Sequence, residues 1–367
     1  MKKKRRLFIK LLFLCGLFFI ALSVTYFTVI YKNVVVKNPY SSVKTTPAPT
    51  PTPDPLRIRN ILLLGYAGGD HDGATLTDTI ILARIYPKDK KIKLISIPRD
   101  IWVPIPVTNE STQSFKINHA FAIGLDDKKY PDKDNIYKGL FGAGTLARSM
   151  VSIVTGIMPE NFIAINFNGF KAIVDNLGGV EVNIPFTFED KYYPIKGLEK
   201  DTCGKDDTEM KALQATLSGQ LLEEEFTCRF ETLKFEKGKT ILDGETALKF
   251  VRSRHSDING NDFGRAVRQQ AFLVGVKNKL LKTGSIPKLI TLVNTLSKNV
   301  LTDIDLKTAL QIVSEQVTLS DLKIETITLT TDNVLMESQS SDIQFILIPK
   351  EGEGNWDGIQ KYIQDNI

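Results

Sequence analysis

Cysteine, histidine and tryptophan are scarce in this chain, at 3, 3 and 2 of 367 residues. So few cysteines exclude a disulfide-rich miniprotein, and with no Cys-x-x-Cys or helically spaced His pair there is no zinc signature. A general excess of positive charge is missing too. The net charge is +5, yet Lys2, Lys3, Lys4, Arg5, Arg6 and Lys10 supply six positive charges, so residues 11–367 sum to −1. That distribution gives no nucleic-acid footprint. No internal repeat is apparent, and at 42% hydrophobic and 24% charged residues the composition is ordinary for a globular protein.

What the chain does have is one long apolar run. Residues 11–31, LLFLCGLFFIALSVTYFTVIY, carry no charge over 21 positions, enough for a helix rising about 1.5 Å per residue to cross a hydrocarbon core about 30 Å thick. The preceding KKKRR keeps residues 1–10 cytoplasmic as a basic stub and sends the remainder outside, so the expectation is a single-pass cell-membrane protein with an extracytoplasmic domain. The run is long for a secretory leader, and Leu14 rather than a small residue precedes Cys15, which argues against cleavage or lipidation. Residues 32–55 form an extracytoplasmic stalk whose KTTPAPTPTPDP part favours extended polyproline II.

The working domain is expected over 56–367. IRNILLLG, TIILARIY and KIKLISIP read as buried strands, while 143–156, 167–179, 244–251 and 262–281 have helical periodicity. FIAINF, VEVNIP, IETITL and IQFILIP alternate with these helices, which predicts an α/β fold with a mixed central sheet flanked by helices behind one transmembrane helix. Residues 186–235 read as a more polar insertion decorating a sheet edge. Cys203 and Cys228 fall inside it, either as a loop-stapling disulfide or as two free thiols.

RSRHSDINGNDFGRAVRQQ (252–270) holds Arg252, Arg254, Arg265 and Arg268 within 17 residues. Counting from Asp262 at 100° per residue, Arg265 falls at about 300° and Gln269 at about 340°, opposite a Phe263, Val267, Val274 and Leu281 stripe near 100–140°. This places Asp262, Arg265 and Gln269 on a polar face away from the core. Arg252 and Arg254 alternate, which in an extended segment points both to one side. Such a group of planar cations is either a solvated face or a binding site for phosphate or pyrophosphate.

LLLGYAGGDHDGATLTDT (62–79) offers Asp70, His71, Asp72 and Asp78 around a Gly-rich turn. It matches neither GxxxxGK[ST] nor GxGxxG before a helix, and Ala74 breaks the EF-hand pattern. The carboxylates are either turn formers or ligands to Mg²⁺ (or Mn²⁺), which takes one or two carboxylates plus phosphate oxygens. Arg99 in SIPRD is either half of a surface ion pair or a cleft residue. Lys116 and His119 in KINHAFAIG accompany a short Gly-terminated helix.

Taken together and in order behind one apolar run, LLLG…LTDTIIL, SIPRD, KINHAFAIG, GFKAIVDNLGGVEVNIP and LDGETALKFVRSRH…DFGRAVRQQ resemble the LytR-CpsA-Psr family of cell-envelope proteins. The resemblance implies an α/β/α phosphotransferase, anchored outside the cytoplasmic membrane, that moves a glycopolymer from a polyprenyl-pyrophosphate carrier to peptidoglycan or another wall acceptor. It implies that Arg99, Arg252, Arg254, Asp262, Arg265 and Gln269 are catalytic, that Lys116 matches the family lysine, and that Asp78 is a metal-associated aspartate; Arg268 completes the arginine group. The chain departs from the family at Ala67, where an Asp is common, and at Leu76 and Thr77, where an Arg is common; Asp70 or Asp72, with His71, is the expected replacement ligand. Two alternatives use the same residues: a polyprenyl-phosphate-binding regulatory protein, and a metal-dependent lipid pyrophosphatase.

Overall fold

The computed structural model describes residues 35–36, 57–69, 73–217, 220–258, 260, 262–282, 299–305, 308 and 322–367. The apolar run 11–31, most of the stalk, and Asp70, His71 and Asp72 lie outside the described residues. In chain order the strands are β1 (Arg59–Tyr66), β2 (Thr77–Tyr86), β3 (Lys91–Ser96), β4 (Trp102–Pro106), β5 (Thr112–Lys116), β6 (Asn161–Asn166), β7 (Val180–Ile184), β8 (Phe188–Pro194), β9 (Phe230–Phe235), β10 (Gly238–Leu242), β11 (Val300–Thr302), β12 (Lys323–Thr328), β13 (Leu335–Gln339) and β14 (Phe345–Pro349). The helices are α1 (His119–Leu125), α2 (Gly139–Thr155), α3 (Phe167–Asn176), α4 (Asp207–Thr216), α5 (Gln220–Glu224), α6 (Gly244–Arg252), α7 (Asp262–Lys282) and α8 (Asp357–Asn366). The chain divides into two compact units, 1–89 with 102–169 and 290–317, and 90–101 with 170–289 and 318–367, where the sequence predicts one domain from 56.

The first unit is built on a mixed sheet. β1 pairs antiparallel with β2 and parallel with β6, and β6 pairs antiparallel with β11. Leu62, Leu82, Phe162 and Ala164 are buried to the full because these strands are covered, which is why they read as continuous apolar runs. Helix α2 approaches β6 at Gly144, where any added methyl would strike the Phe162 ring. Asp303, just past β11, accepts from the Phe162 N–H at 2.8 Å and pairs with Arg148 of α2 at 3.1 Å, fastening strand to helix.

Val35 and Val36 correct the stalk reading. Val35 bridges Thr302 in parallel, and the Val36 N–H donates to Thr302 O at 2.9 Å. Two β-branched residues here have found the open edge of β11, so this part of 32–55 is packed rather than a spacer.

In the second unit β3 pairs in parallel with β12, and β7–β10, β8–β9 and β13–β14 are antiparallel pairs. Helix α7 lies against β7, and the contact depends on Gly275: a Cβ there would stand 2.6 Å from Glu181 O. Gln270 of α7 donates to Ser96 Oγ at 2.9 Å and Thr328 Oγ1 at 3.1 Å, tying the helix to the ends of β3 and β12. The polar segment 186–235 forms β8, α4, α5 and β9, with Cys203 and Cys228 joined by a disulfide.

Candidate functional site

The arginine group forms within the second unit. Asp243 caps α6 by accepting the Thr246 N–H at 2.7 Å, and the helix runs to Arg252. Ser253 then leaves the helix with extended geometry (φ −47°, ψ 133°). Arg252 is thus helical, not part of an extended RxR as the alternation suggests. Ser253 is buried and both flanking arginines are half-buried.

Helix α7 reverses the sequence expectation. Val267, assigned to the core, is 37% exposed, whereas Arg265 and Arg268 are 6% and 0% exposed. The buried side of the first turns is the cationic side. Phe263 and Val274 are only half-buried, and the Leu281 side chain lies outside the described residues. Arg268 explains how this is tolerated: its guanidinium donates to Ser253 O and to Ser256 Oγ and covers the Phe188 ring. Burial pulls its pKa down to about 10, with Asp190 opposing and Arg265 adding to the fall, so it remains charged at neutral pH. Gln269 Nε2 donates to Val251 O at 3.4 Å, joining α7 to α6. Asp262 is the first residue of α7, and its side chain is outside the described residues.

Arg99 follows β3 in a turn where the Ile101 N–H donates to Pro98 O, and its Nε stands 3.4 Å from Asp100 Oδ2. Asp100 is buried while Arg99 is half-buried. Gln270 binds Ser96 three residues earlier, so this strand end and α7 belong to one packed assembly.

A second set lies in the first unit, where β1 and β6 end. Gly65 pairs with Thr79 and Tyr66 with Thr77, so Asp78 is the extra residue of a β-bulge and is left half-buried at the sheet end. The Thr77 N–H donates to Asn118 O at 3.2 Å, which brings the Lys116–His119 segment beside the bulge. Lys116 ends β5 opposite Trp102, and His119 opens α1 with its ring 5.5 Å from that of Phe115. Gly68 sits in the left-handed region (φ 74°), with Asn166 so close that a Cβ would stand 2.9 Å from its Cβ.

Asp78 suits one carboxylate ligand of Mg²⁺, which asks for few protein ligands. Among the described residues no group of three acidic, His or Cys side chains includes it, and the candidates Asp70, His71 and Asp72 lie outside them. The one such group found, Asp201 with Cys203 and Cys228, has its two sulfurs bonded to each other and no thiolate to offer.

Sequence reasoning missed the residues that hold the arginines. The β8–β9 register shifts between Asp190 and Tyr193, so residues three apart, which would face opposite ways in a regular strand, both turn inward. Asp190 Oδ2 accepts from Ser253 Oγ at 2.7 Å, the Arg254 N–H at 3.1 Å and the His255 N–H at 3.2 Å. Tyr193 OH accepts from Arg252 Nη1 at 3.1 Å. Burial raises the Tyr193 pKa, with the Arg252 charge opposing, so the phenol stays neutral. The segment 186–235 is therefore the support of the arginine segment, and its β8–β9 pair forms a two-stranded sheet of its own.

The LytR_cpsA_psr family profile matches residues 25–351. A polyisoprenyl-teichoic acid–peptidoglycan teichoic acid transferase of Enterococcus faecalis, TagU, is 30% identical over 248 residues, 67% of this chain and 61% of its own length. The chain thus spans about three-fifths of that relative. Among solved structures, protein gbs0355 of Streptococcus agalactiae superposes with a TM-score of 0.57 at 22% identity, covering 84% of this chain and 87% of that one. TagT bound to LIIa-WTA superposes at 0.54 and 22% identity, covering 90% and 97%. These likenesses show a common mixed α/β fold.

Proposed function

This chain belongs to the LytR_cpsA_psr family, and on that premise we propose that it is a membrane-anchored phosphotransferase that moves a glycopolymer from a polyprenyl-pyrophosphate carrier to a wall acceptor such as peptidoglycan. The observation that carries the proposal is the arginine group at the end of α6, in the segment after it and on α7, where half-buried Arg252 and Arg254 flank buried Ser253 and the Arg254 backbone is held by a buried carboxylate. An apolar ligand has no use for such a group, whereas a pyrophosphate matches it. The relative TagU is named for transfer of teichoic acid to peptidoglycan, and the TagT structure holds LIIa-WTA, which supports this substrate class.

In the proposed reaction the acceptor sugar hydroxyl oxygen bonds to the glycan-side phosphorus. The pyrophosphate bridge bond breaks, polyprenyl phosphate leaves, and the hydroxyl proton is lost to solvent. Phosphoryl transfer asks a protein mainly for positioning and charge neutralisation. Arg99, Arg252, Arg254 and Arg265 would hold phosphate oxygens, Gln269 and Lys116 would assist binding, and Arg268 keeps the segment folded from beneath. Asp262 would orient an arginine, since a carboxylate among guanidiniums is a poor base. Mg²⁺ (or Mn²⁺), held by Asp78 with Asp70 or Asp72, would neutralise charge on the pyrophosphate.

The membrane placement belongs to the same proposal. Val35 is four residues beyond Tyr31, and four extended residues reach at most about 14 Å. Since Val35 is paired to β11, a span over 11–31 would hold the first unit at the bilayer, where a polyprenyl substrate resides.

The test uses the full chain in detergent with a lipid-pyrophosphate glycan, peptidoglycan fragments and Mg²⁺, read by mass spectrometry. Acceptor-dependent release of polyprenyl phosphate with a linked product is expected. Release without acceptor would replace the proposal with a pyrophosphatase, and binding without turnover would replace it with a regulatory carrier-binding protein.

A further inference from the structure

We propose that Asp190 is a positioning residue for the reaction: from β8 it fixes the backbone of Ser253–His255 and so sets the direction of the Arg254 guanidinium. The inference rests on the pyrophosphate-binding reading of that arginine segment. It concerns a residue that the sequence motif does not contain.

Four donors converge on this one carboxylate. Oδ2 takes Ser253 Oγ, the Arg254 N–H and the His255 N–H, while Oδ1 takes the Tyr192 N–H at 3.0 Å. Asp190 is 1% exposed, so water does not compete for these bonds. The clamp continues on both sides. Glu189 N–H donates to Asp257 Oδ1 and Asp257 N–H to Glu189 O, both at 2.9 Å, and Asp190 bridges Ser256.

The segment needs such a clamp because it leaves α6 without a continuing helix or a strand partner of its own in the motif. A chain turning out of a helix has several extended directions open to it, and each would carry Arg254 to a different place. The carboxylate selects one by accepting two consecutive N–H groups. Tyr193 adds a second point by accepting from Arg252 itself. Both come from the bulged strand, so the bulge is the device that turns a hairpin of the insertion into a support for the motif.

Charge is part of the requirement. An amide at position 190 that presented its oxygen to the three donors on Oδ2 would present its NH₂ to the Tyr192 N–H, two donors facing each other. Flipping it puts the NH₂ against Ser253, Arg254 and His255. Either way a bond is lost, and the anion facing Arg268 is gone.

The experiment is a double-mutant cycle on geranylgeranyl pyrophosphate binding to the full chain in detergent, by calorimetry, with wild type, Asp190→Asn, Arg254→Ala and the double variant. We expect Asp190→Asn to weaken binding at least 10-fold, and the double variant to be no weaker than Arg254→Ala alone. Tyr193→Phe, which keeps the ring and removes only the acceptor oxygen, should weaken binding about 3-fold or more and serves if Asp190→Asn does not fold. Asp190→Asn binding within 2-fold of wild type, or losses that multiply in the double variant, would overturn the positioning role while leaving the anion-site reading in place. Equal binding by wild type and Arg254→Ala would overturn that reading and the positioning role with it.

Discussion

The guanidinium carbon of Arg268 lies 4.9 Å from the centre of the Phe188 ring, and the side chain is closed off from solvent. A cation is stable there because the planar group spreads its charge over the ring face while donating to Ser253 O and Ser256 Oγ at its edge. Lysine has neither the fork nor the flat face. Arg268→Lys is expected to cost about 2–4 kcal/mol, the range for breaking a buried charged network, and chemical denaturation of both proteins measures it. An unchanged midpoint would mean that Arg268 is not the keystone of this segment.

Arg252 and Arg254 stand differently, half-buried beside the braced Ser253. Removing the Arg254 guanidinium should leave the Asp190 clamp in place, since its bond goes to the Arg254 backbone and not to the side chain. Arg254→Ala should lower polyprenyl phosphate release by roughly 100-fold or more, on the scale of one lost transition-state contact of about 3 kcal/mol. Matching far-ultraviolet spectra with unchanged turnover would remove Arg254 from the proposed machinery.

For Asp78 the expected outcome is a changed metal dependence. Asp78→Asn should raise the Mg²⁺ concentration for half-maximal release by 10-fold or more, and tryptophan-fluorescence titration with Mn²⁺ should show the same weakening. Titrating Asp70→Ala and Asp72→Ala beside it identifies which of the two assists. If all three variants titrate like wild type, the metal assignment at this bulge fails.

Where the sequence was readable, one physical signal dominated. β1, β2 and β3 are covered strands rich in Ile and Leu, and their expected bounds differ from the observed ones by two residues or fewer. α6 and α7 were equally plain from their 3.6-residue pattern. That pattern failed on orientation, because it sends charge outward, and at α7 the arginines face in and Val267 faces out. Asp190 was invisible for a related reason. In EDKYYP simple alternation separates Asp190 from Tyr193, and no glycine marks the bulge that unites them. Val35 likewise reads as linker, because pairing to β11 is a contact across more than 260 residues that no local pattern encodes.

The disulfide closes a loop with a sequence separation of 25 residues. In the chain-entropy picture such a crosslink contributes about 3 kcal/mol. Replacing both cysteines by serine should therefore loosen α4 and α5, seen as faster amide exchange over 195–229, and lower the thermal midpoint by several degrees. Exchange in that segment unchanged from wild type would show that its other contacts, such as Arg229 stacked 3.8 Å from the Phe226 ring centre, suffice.

Asp303 supplies a pH test with a definite sign. Its carboxyl lies among Phe162, Asn161 and Arg148, and burial raises its pKa despite the Phe162 N–H and the Arg148 charge, which act the other way. An unfolded Asp titrates near 3.9. Between that value and the raised folded one, the folded chain binds more protons than the unfolded chain, so stability falls as pH rises through the window and levels off above it. Asp303→Asn cannot titrate and cancels every other group in the comparison. Wild-type stability measured relative to Asp303→Asn should therefore decline as pH rises above the unfolded value and level off once the raised folded value is passed. A difference that grows with pH would mean that the 3.1 Å pair with Arg148 outweighs burial and holds the carboxylate ionised.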